Sequence, residues 1–265
     1  MDVTGVFIGI DVACAKGKRL PMCFARSVEG RLEPLELPRT TAQLIPRGLG
    51  NIAVRDALPF VEAANGTATA IQAICKQMGW TVERIAIDAP AEPSAFGQRR
   101  CELALIEAGL SVFKTPSRDA WRGVLETCRA HLDSGAALAR LPYANKIWML
   151  YGFKLFAALR RTGFSLIEVY PFAIMHALLG EHPHKSTAEG YGLQLDVIAR
   201  CTKWKPSELH ARLRGAVGGS QHDRLDAFAA AWLASLPCGA RQAYGNSNDD
   251  ADAIWVPITK NAHRL

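Results

Sequence analysis

The chain has no apolar run long enough to span a bilayer and no Cys-x-x-Cys pair. The first absence argues against a membrane-spanning helix, and the second removes the usual signature of a structural zinc site. The seven cysteines are scattered. Most are expected to be small buried apolar residues of a protein in a reducing compartment. The sequence also has no internal repeat and no low-complexity tract.

The N-terminal residues Met1-Asp2-Val3-Thr4 lack the basic region and the cleavage site of a signal peptide. Together with the absence of a long apolar run, this predicts a cytoplasmic protein that has no membrane partner.

The 265 residues are 49% hydrophobic and 21% charged, which suits one folded domain with a substantial core. We expect a single domain over 1–265, with an insertion or lid at about 90–145 and a C-terminal tail at 239–265. The net charge of +6 is compatible with nucleic acid as a partner. An ordinary solvated basic surface is the alternative explanation.

Two short apolar runs each end on an aspartate. Residues 6–10 precede Asp11, and residues 84–87 precede Asp88. Runs of this composition predict buried strands, so each carboxylate is expected at the open end of a sheet. Two carboxylates that converge there repel each other unless a cation lies between them. The pattern therefore points to a divalent-metal enzyme.

The order of predicted elements indicates an α/β fold with a mixed sheet. Strands are expected at 5–11, 20–27, 31–37, 84–88, 112–113, 165–170 and 254–258, the last at an edge. Helices are expected at 59–78, 99–109, 145–161, 172–180 and 222–232, with further helices starting near 190 and 206. Pro34 favours an edge position for the third strand. Residues 239–250 are polar and are expected to form a loop.

Three further carboxylates are candidates for the same site. Glu168 lies inside an apolar strand, where a charged residue must be paired, exposed or functional. Asp223 and Asp226 lie three residues apart, which puts them on one face near the start of a helix. Asp223 also suits a helix cap, whereas Asp226 enters an apolar run. We favour Asp226 as the metal ligand and keep Asp223 as the alternative.

Five ordered segments carry a family resemblance. They are Gly9-Ile10-Asp11, Ile87-Asp88-Ala89-Pro90, Arg99-x-Cys101-Glu102, Glu168-Val169-Tyr170-Pro171 and His222-Asp223-x-Leu225-Asp226-Ala227. Over about 5–236 the chain resembles the ribonuclease H-like superfamily. It is most similar to an uncharacterised family of predicted nucleases with that fold. The last segment also resembles the late catalytic helix of Holliday-junction resolvases.

The resemblance implies a ribonuclease H-like mixed sheet, with three antiparallel strands followed by parallel strands, flanked by helices and carrying an inserted helical segment. It implies that Asp11 bridges two Mg²⁺ (or Mn²⁺) ions and that Asp88, Asp226 and either Glu168 or Asp223 complete the shells. The implied reaction is phosphodiester hydrolysis of nucleic acid. The basic residues expected to hold the phosphate backbone are Lys16, Lys18, Arg99 and Arg100. A homodimer is a further open expectation.

Two other functions fit the same sequence. A non-catalytic ribonuclease H-like scaffold would bind nucleic acid or protein and would need no metal. An actin-like or sugar-kinase-like phosphotransferase would use a phosphate loop near Lys16. That function is ranked lowest, because the chain is too short for two copies of the domain and Gly218-Gly219 is a poor second phosphate loop.

Overall fold

Seven strands form one mixed sheet in the computed structural model, which describes residues 4–13, 15–56, 58–249 and 251–258. The strands are β1 (Thr4–Asp11), β2 (Met22–Val28), β3 (Arg31–Leu35), β4 (Trp80–Asp88), β5 (Leu166–Val169), β6 (Arg241–Gly245) and β7 (Ala253–Pro257). Their order is β3-β2-β1-β4-β5-β7-β6. The first three strands are antiparallel, β1, β4, β5 and β7 run parallel, and β6 returns antiparallel.

Nine α-helices are found among the described residues. They are α1 (Arg39–Ala42), α2 (Leu58–Met78), α3 (Arg100–Glu107), α4 (Arg118–Asp133), α5 (Ile147–Arg161), α6 (Pro171–Leu179), α7 (Ala188–Thr202), α8 (Pro206–Leu213) and α9 (Gln221–Ser235). Short 3₁₀ turns occur at Asn51–Arg55, Leu138–Arg140, Ala144–Lys146 and Cys238–Ala240. In the part of the chain that the structure describes, no helix has the length and apolar character needed to cross a membrane.

The two faces of the sheet bury separate cores. Ile8 and Ile87 belong to the core that also contains the apolar side chains of α2 and α5. Ala86 belongs to the core on the other face, which α9 dominates. Because helices cover both faces, residues 6–10 of β1 and 85–87 of β4 are apolar, as in buried parallel strands.

Most predicted elements are confirmed, and the strand containing Pro34 does lie at a sheet edge. Two strand predictions and one loop prediction are wrong. Residues 112–113 form no strand, and the predicted loop at 239–250 contains β6. The predicted edge strand β7 lies inside the sheet, between β5 and β6. Its neighbours come from distant or weakly patterned segments, so no local pattern reveals its position. Part of the predicted tail, 259–265, lies outside the described residues.

The segment at 90–145 is largely helical and contributes to the cores of the domain. Trp121 and Cys128 of α4 pack in the α2–α5 core. Leu105 of α3 packs in a third cluster with Ile254 and Val256 of β7. The segment therefore rests on the sheet, while its role as a lid stays a prediction.

Gly9 lets α9 lie unusually close to the sheet. A Cβ atom at Gly9 would overlap the backbone carbonyl oxygen of Ala227 and would lie 2.5 Å from the Ala231 nitrogen. The residues of α9 at this contact, Ala227 and Ala231, are also small, so the backbone of the helix approaches the backbone of the strand. Residues two apart on a strand share a face, so Asp11 points to the same side as Gly9.

We expect Gly9→Ala to lower the free energy of unfolding by about 3 kcal/mol, because a methyl group there must push the helix away from the strand. Urea unfolding measures the change. Gly123→Ala is the matched control: Gly123 lies inside α4, and a Cβ there would meet nothing within 4 Å. The control should raise stability by about 1 kcal/mol through helix propensity. Equal effects of the two substitutions would contradict the close packing.

Candidate active site

Asp11 and Asp88 lie side by side at the ends of two parallel strands. They are direct partners in the β1–β4 register, so their backbones are separated by the usual interstrand distance of about 4.8 Å. Alternation along the strands puts both on the face covered by α9, with Gly9 and Ala86. The sequence prediction that these strand ends converge is therefore matched by their positions.

Asp226 of α9 lies at the same ends of β1 and β4. It is only 1% exposed, although it is a carboxylate in the second turn of an apolar helix. The contact of α9 with Gly9 brings this turn to the strand ends. The charge of Asp226 contributes to raising the pKa values of both Asp11 and Asp88. The structure thus brings three carboxylates from three elements into one cluster.

The surroundings of this cluster favour protonation of its acids. Burial and, next, repulsion from Asp226 together raise the pKa of Asp11 to about 7. Burial also raises the pKa of Asp88 well above its ordinary value, with Asp11 the next contributor. The pKa of Asp226 is raised by burial even though a neighbouring lysine opposes that effect. Acids shifted together in this way are typical of functional sites.

Lys185 is the neighbouring cation, and the sequence analysis missed it. Its ammonium group forms an ion pair and hydrogen bond with the Asp226 carboxylate, and it also attracts Asp11 and Asp88. Burial lowers the pKa of Lys185, but the carboxylates outweigh burial and leave that pKa above its ordinary value. A single lysine in a polar loop carries no motif, so no sequence signal marked it.

The loop before α7 fixes the position of Lys185. Thr187 caps α7 by accepting a hydrogen bond from the Gly190 amide at 3.0 Å, and its hydroxyl donates to the His184 carbonyl at 2.9 Å. A Cβ atom at Gly190 would overlap the carbonyl oxygens of Pro183 and His184. The loop therefore lies directly against α7. Lys185 is held in place because His184 and Thr187, on either side of it in the loop, are hydrogen-bonded to each other.

The donor chemistry of the cluster suits a hard cation, since all three acids offer carboxylate oxygens. Within the described ranges, however, no group of three or more His, Cys, Asp or Glu side chains has the geometry to hold a metal ion. In this arrangement the ammonium of Lys185 supplies positive charge to the three acids.

Glu168 lies on the opposite face of the sheet from Asp88, because it pairs in register with Ile87. Its two oxygens accept hydrogen bonds from the two terminal nitrogens of Arg99, each at 2.7 Å, and one also accepts from the Ala91 amide at 2.8 Å. Arg99 in turn contacts Glu102 through Nε at 2.9 Å. The structure therefore pairs Glu168 and Arg99 with each other inside the protein.

The remaining predicted residues lie outside the three-acid cluster, with Asp223 close enough for its charge to contribute to raising the pKa values of Asp11 and Asp226. Asp223 forms a capping box with Ser220 and accepts a hydrogen bond from its amide at 2.7 Å. Burial raises the pKa of Asp223, but the hydrogen bonds of Ser220 outweigh it and hold that pKa below its ordinary value. Lys16, Lys18 and Arg100 are exposed. Of these three, Lys16 lines the cleft described next.

A cleft of about 860 Å³ lies over the ends of β1, β4 and β5. Asp11, Asp88, Asp226 and Lys185 line it at the sheet edge. Its remaining lining is mainly apolar and includes aromatic side chains from 112–172. The volume falls within the range of about 300–1,000 Å³ that is typical of ligand pockets. The charged cluster is therefore open to a ligand.

The protein is an α/β protein with a carboxylate cluster at the carboxyl ends of its central strands. Residues 27–248 match a family described as Protein of unknown function (DUF429), so the chain belongs to this family. The match includes Asp88, Asp226 and Lys185 but begins after Asp11. No curated protein and no solved structure matches the chain.

We expect Asp11→Asn to stabilise the metal-free protein at pH 8. The folded state holds the Asp11 proton up to about pH 7, whereas the unfolded chain releases it near the ordinary value of 3.8. Stability due to this group therefore falls as pH rises between those values. The gain at pH 8 should be at least about 1 kcal/mol, since a tenfold change in proton affinity corresponds to about 1.4 kcal/mol.

Urea unfolding in EDTA at pH 4, 6 and 8 measures this gain, which should shrink towards zero at pH 4. The exposed Asp196 provides the control, and Asp196→Asn should change stability by less than about 0.5 kcal/mol at each pH. A destabilised Asp11→Asn protein at pH 8 would contradict the repulsion described here.

Proposed function

We propose that this protein is a divalent-metal-dependent nuclease that hydrolyses phosphodiester bonds of nucleic acid. The observation that carries the proposal is the cluster of Asp11, Asp88 and Asp226, three carboxylates with raised pKa values that line a cleft. Such a cluster costs folding free energy and gains most from a cation. Mg²⁺ or Mn²⁺ suits its oxygen donors.

The topology supports the same proposal. Three antiparallel strands, a helix and then parallel strands follow one another, with the acids on the first strand, the fourth strand and a late helix. This is the arrangement that the resemblance to the ribonuclease H-like superfamily implies. We therefore propose that the domain has a ribonuclease H-like fold.

Asp11, Asp88 and Asp226 would hold the metal only after leaving their present arrangement, which has no metal-binding geometry, and the bound metal would activate water and stabilise charge on the phosphate. Lys185 would then leave its ion pair with Asp226 or share that carboxylate. Glu168, bound by Arg99, would act indirectly by fixing the backbone at Ala91 close to the end of β4. Neither Glu168 nor Arg99 is free to take the metal-ligand and phosphate-contact roles expected of them unless their mutual pair opens.

Charge supports nucleic acid as the substrate. The net charge is +6, and Lys16 lies where the cleft opens to solvent. Lys18 and Arg100 are exposed and remain available for phosphate contacts. A cytoplasmic location and a homodimer remain predictions.

A non-catalytic scaffold is the second candidate, and Lys185 is the observation that favours it. An internal ammonium group bound to Asp226 partly neutralises the cluster without any metal. A scaffold would keep this ion pair permanently. A nuclease would exchange it for a metal ion.

Cleavage separates the two functions. Labelled single-stranded, duplex, hybrid and branched DNA and RNA are incubated with the native protein and Mg²⁺ or Mn²⁺, with EDTA as the metal-free control. We expect cleavage that Asp11→Asn and Asp88→Asn each reduce at least about 100-fold, because they remove charge that holds the metal. Asp196→Asn should retain native activity. Absence of metal-dependent cleavage, or full activity of Asp11→Asn, would rule out this mechanism.

Metal affinity tests the exchange at Lys185. We expect Lys185→Met to lower the dissociation constant for Mn²⁺ about tenfold or more, because the internal cation no longer competes for Asp226. Isothermal titration calorimetry measures the constant, and the exposed Lys76 gives the control Lys76→Met. An unchanged or weaker affinity in Lys185→Met, with native circular dichroism, would show that Lys185 does not compete with the metal.

A further inference from the structure

Aromatic side chains line the cleft beside the carboxylate cluster. Phe113 and Trp148 contact each other edge to face, with ring centroids 6.1 Å apart. Tyr170 and Phe172 form a second pair at 5.7 Å. All four line the cleft, and Phe113 is 55% exposed. Metal binding and phosphate hydrolysis require none of these rings, so the carboxylate chemistry leaves them unexplained.

Two buried polar atoms of the same cleft have no partner among the described residues. They are the hydroxyl of Thr115, a residue that is 1% exposed, and Nε2 of His182. A buried polar atom without a hydrogen bond costs about 1–3 kcal/mol unless water or a ligand satisfies it. The ring of His182 lies 5.8 Å from that of Phe172, so a free polar atom adjoins an aromatic wall.

Rings for stacking and free hydrogen-bonding groups together define a ligand that is flat and has a polar edge. A nucleobase has both properties, and proteins bind exposed bases by stacking on aromatic rings and by hydrogen bonds to the base edge. The basic Lys16 and the acidic cluster at the same cleft suit the adjoining phosphate and a metal. The base and the phosphate of a nucleotide therefore both meet groups of matching chemistry.

We infer that the cleft holds an unpaired nucleobase, so that the substrate is a single strand or an unpaired region of nucleic acid rather than an intact duplex. This inference rests on the proposed nuclease function and specifies its substrate. In a duplex both faces of each base are stacked on neighbouring bases, and rings inside a cleft cannot reach them. An unpaired base enters the cleft at little cost.

Binding is measured apart from cleavage, by fluorescence anisotropy of labelled oligonucleotides with the Asp11→Asn protein in Mg²⁺. A single-stranded 20-mer should bind at least about tenfold more tightly than the matched duplex. Phe113→Ala in this background should weaken single-strand binding about fivefold or more. Phe96→Ala is the matched control, since Phe96 is 91% exposed and does not line the cleft, and it should leave binding unchanged.

A second variant tests the polar part of the site. Thr115→Val removes the hydroxyl and keeps the shape of the side chain, so it should change the order of preference among oligonucleotides of single base composition. Duplex binding as tight as single-strand binding, or no effect of Phe113→Ala, would overturn the inference. Displacement of the labelled strand by free mononucleotides at equal concentration would also overturn it, because the occupant would then be a free nucleotide.

These outcomes are distinguishable from failure of the nuclease proposal. Tight single-strand binding that depends on Phe113, without any cleavage by the native protein, would leave the base site intact and eliminate the nuclease. Cleavage of intact duplex at a rate that Phe113→Ala does not change would establish a nuclease and eliminate the base site.

Discussion

The close approach of α9 to β1 is the constraint on which the candidate site depends. Helix backbone meets strand backbone at Gly9, where even a methyl group would overlap the Ala227 carbonyl. Only this closeness brings Asp226, one residue before Ala227, to the strand ends that carry Asp11 and Asp88. The packing of small residues between β1 and α9 thus determines how close Asp226 lies to Asp11 and Asp88.

That packing has an electrostatic cost, which the fold offsets in part. Three acids share a poorly solvated edge, and their pKa values are raised by burial and by one another. Lys185 attracts all three, and the capped start of α7 holds it there. A cluster retained at such a cost is typical of a functional site, where local stability is sacrificed for chemistry.

A second charged network supports the cleft from the other face of the sheet. Arg99 joins Glu168 of β5 to Glu102 of α3, and Glu102 accepts a hydrogen bond from the Thr115 amide at 3.1 Å. These buried contacts fasten the segment that carries Phe113 and Thr115 to the end of β5. The cleft therefore has a charged cluster at its base, and the position of its walls depends on a separate set of paired charges.

Much of this arrangement follows from local sequence. Apolar runs fix β1 and β4 and place Asp11 and Asp88 at their ends, while helical periodicity and capping residues locate α2, α5 and α9. Only the tertiary structure decided which charged side chains pair with each other. Lys185 meets Asp226 across 41 residues of chain, and Arg99 meets Glu168 across 69. The position of β7 inside the sheet likewise depends on its pairing with β5 and β6. Local patterns encode strands and helices because neighbouring residues share one backbone geometry, but contacts between distant segments arise only when whole elements pack.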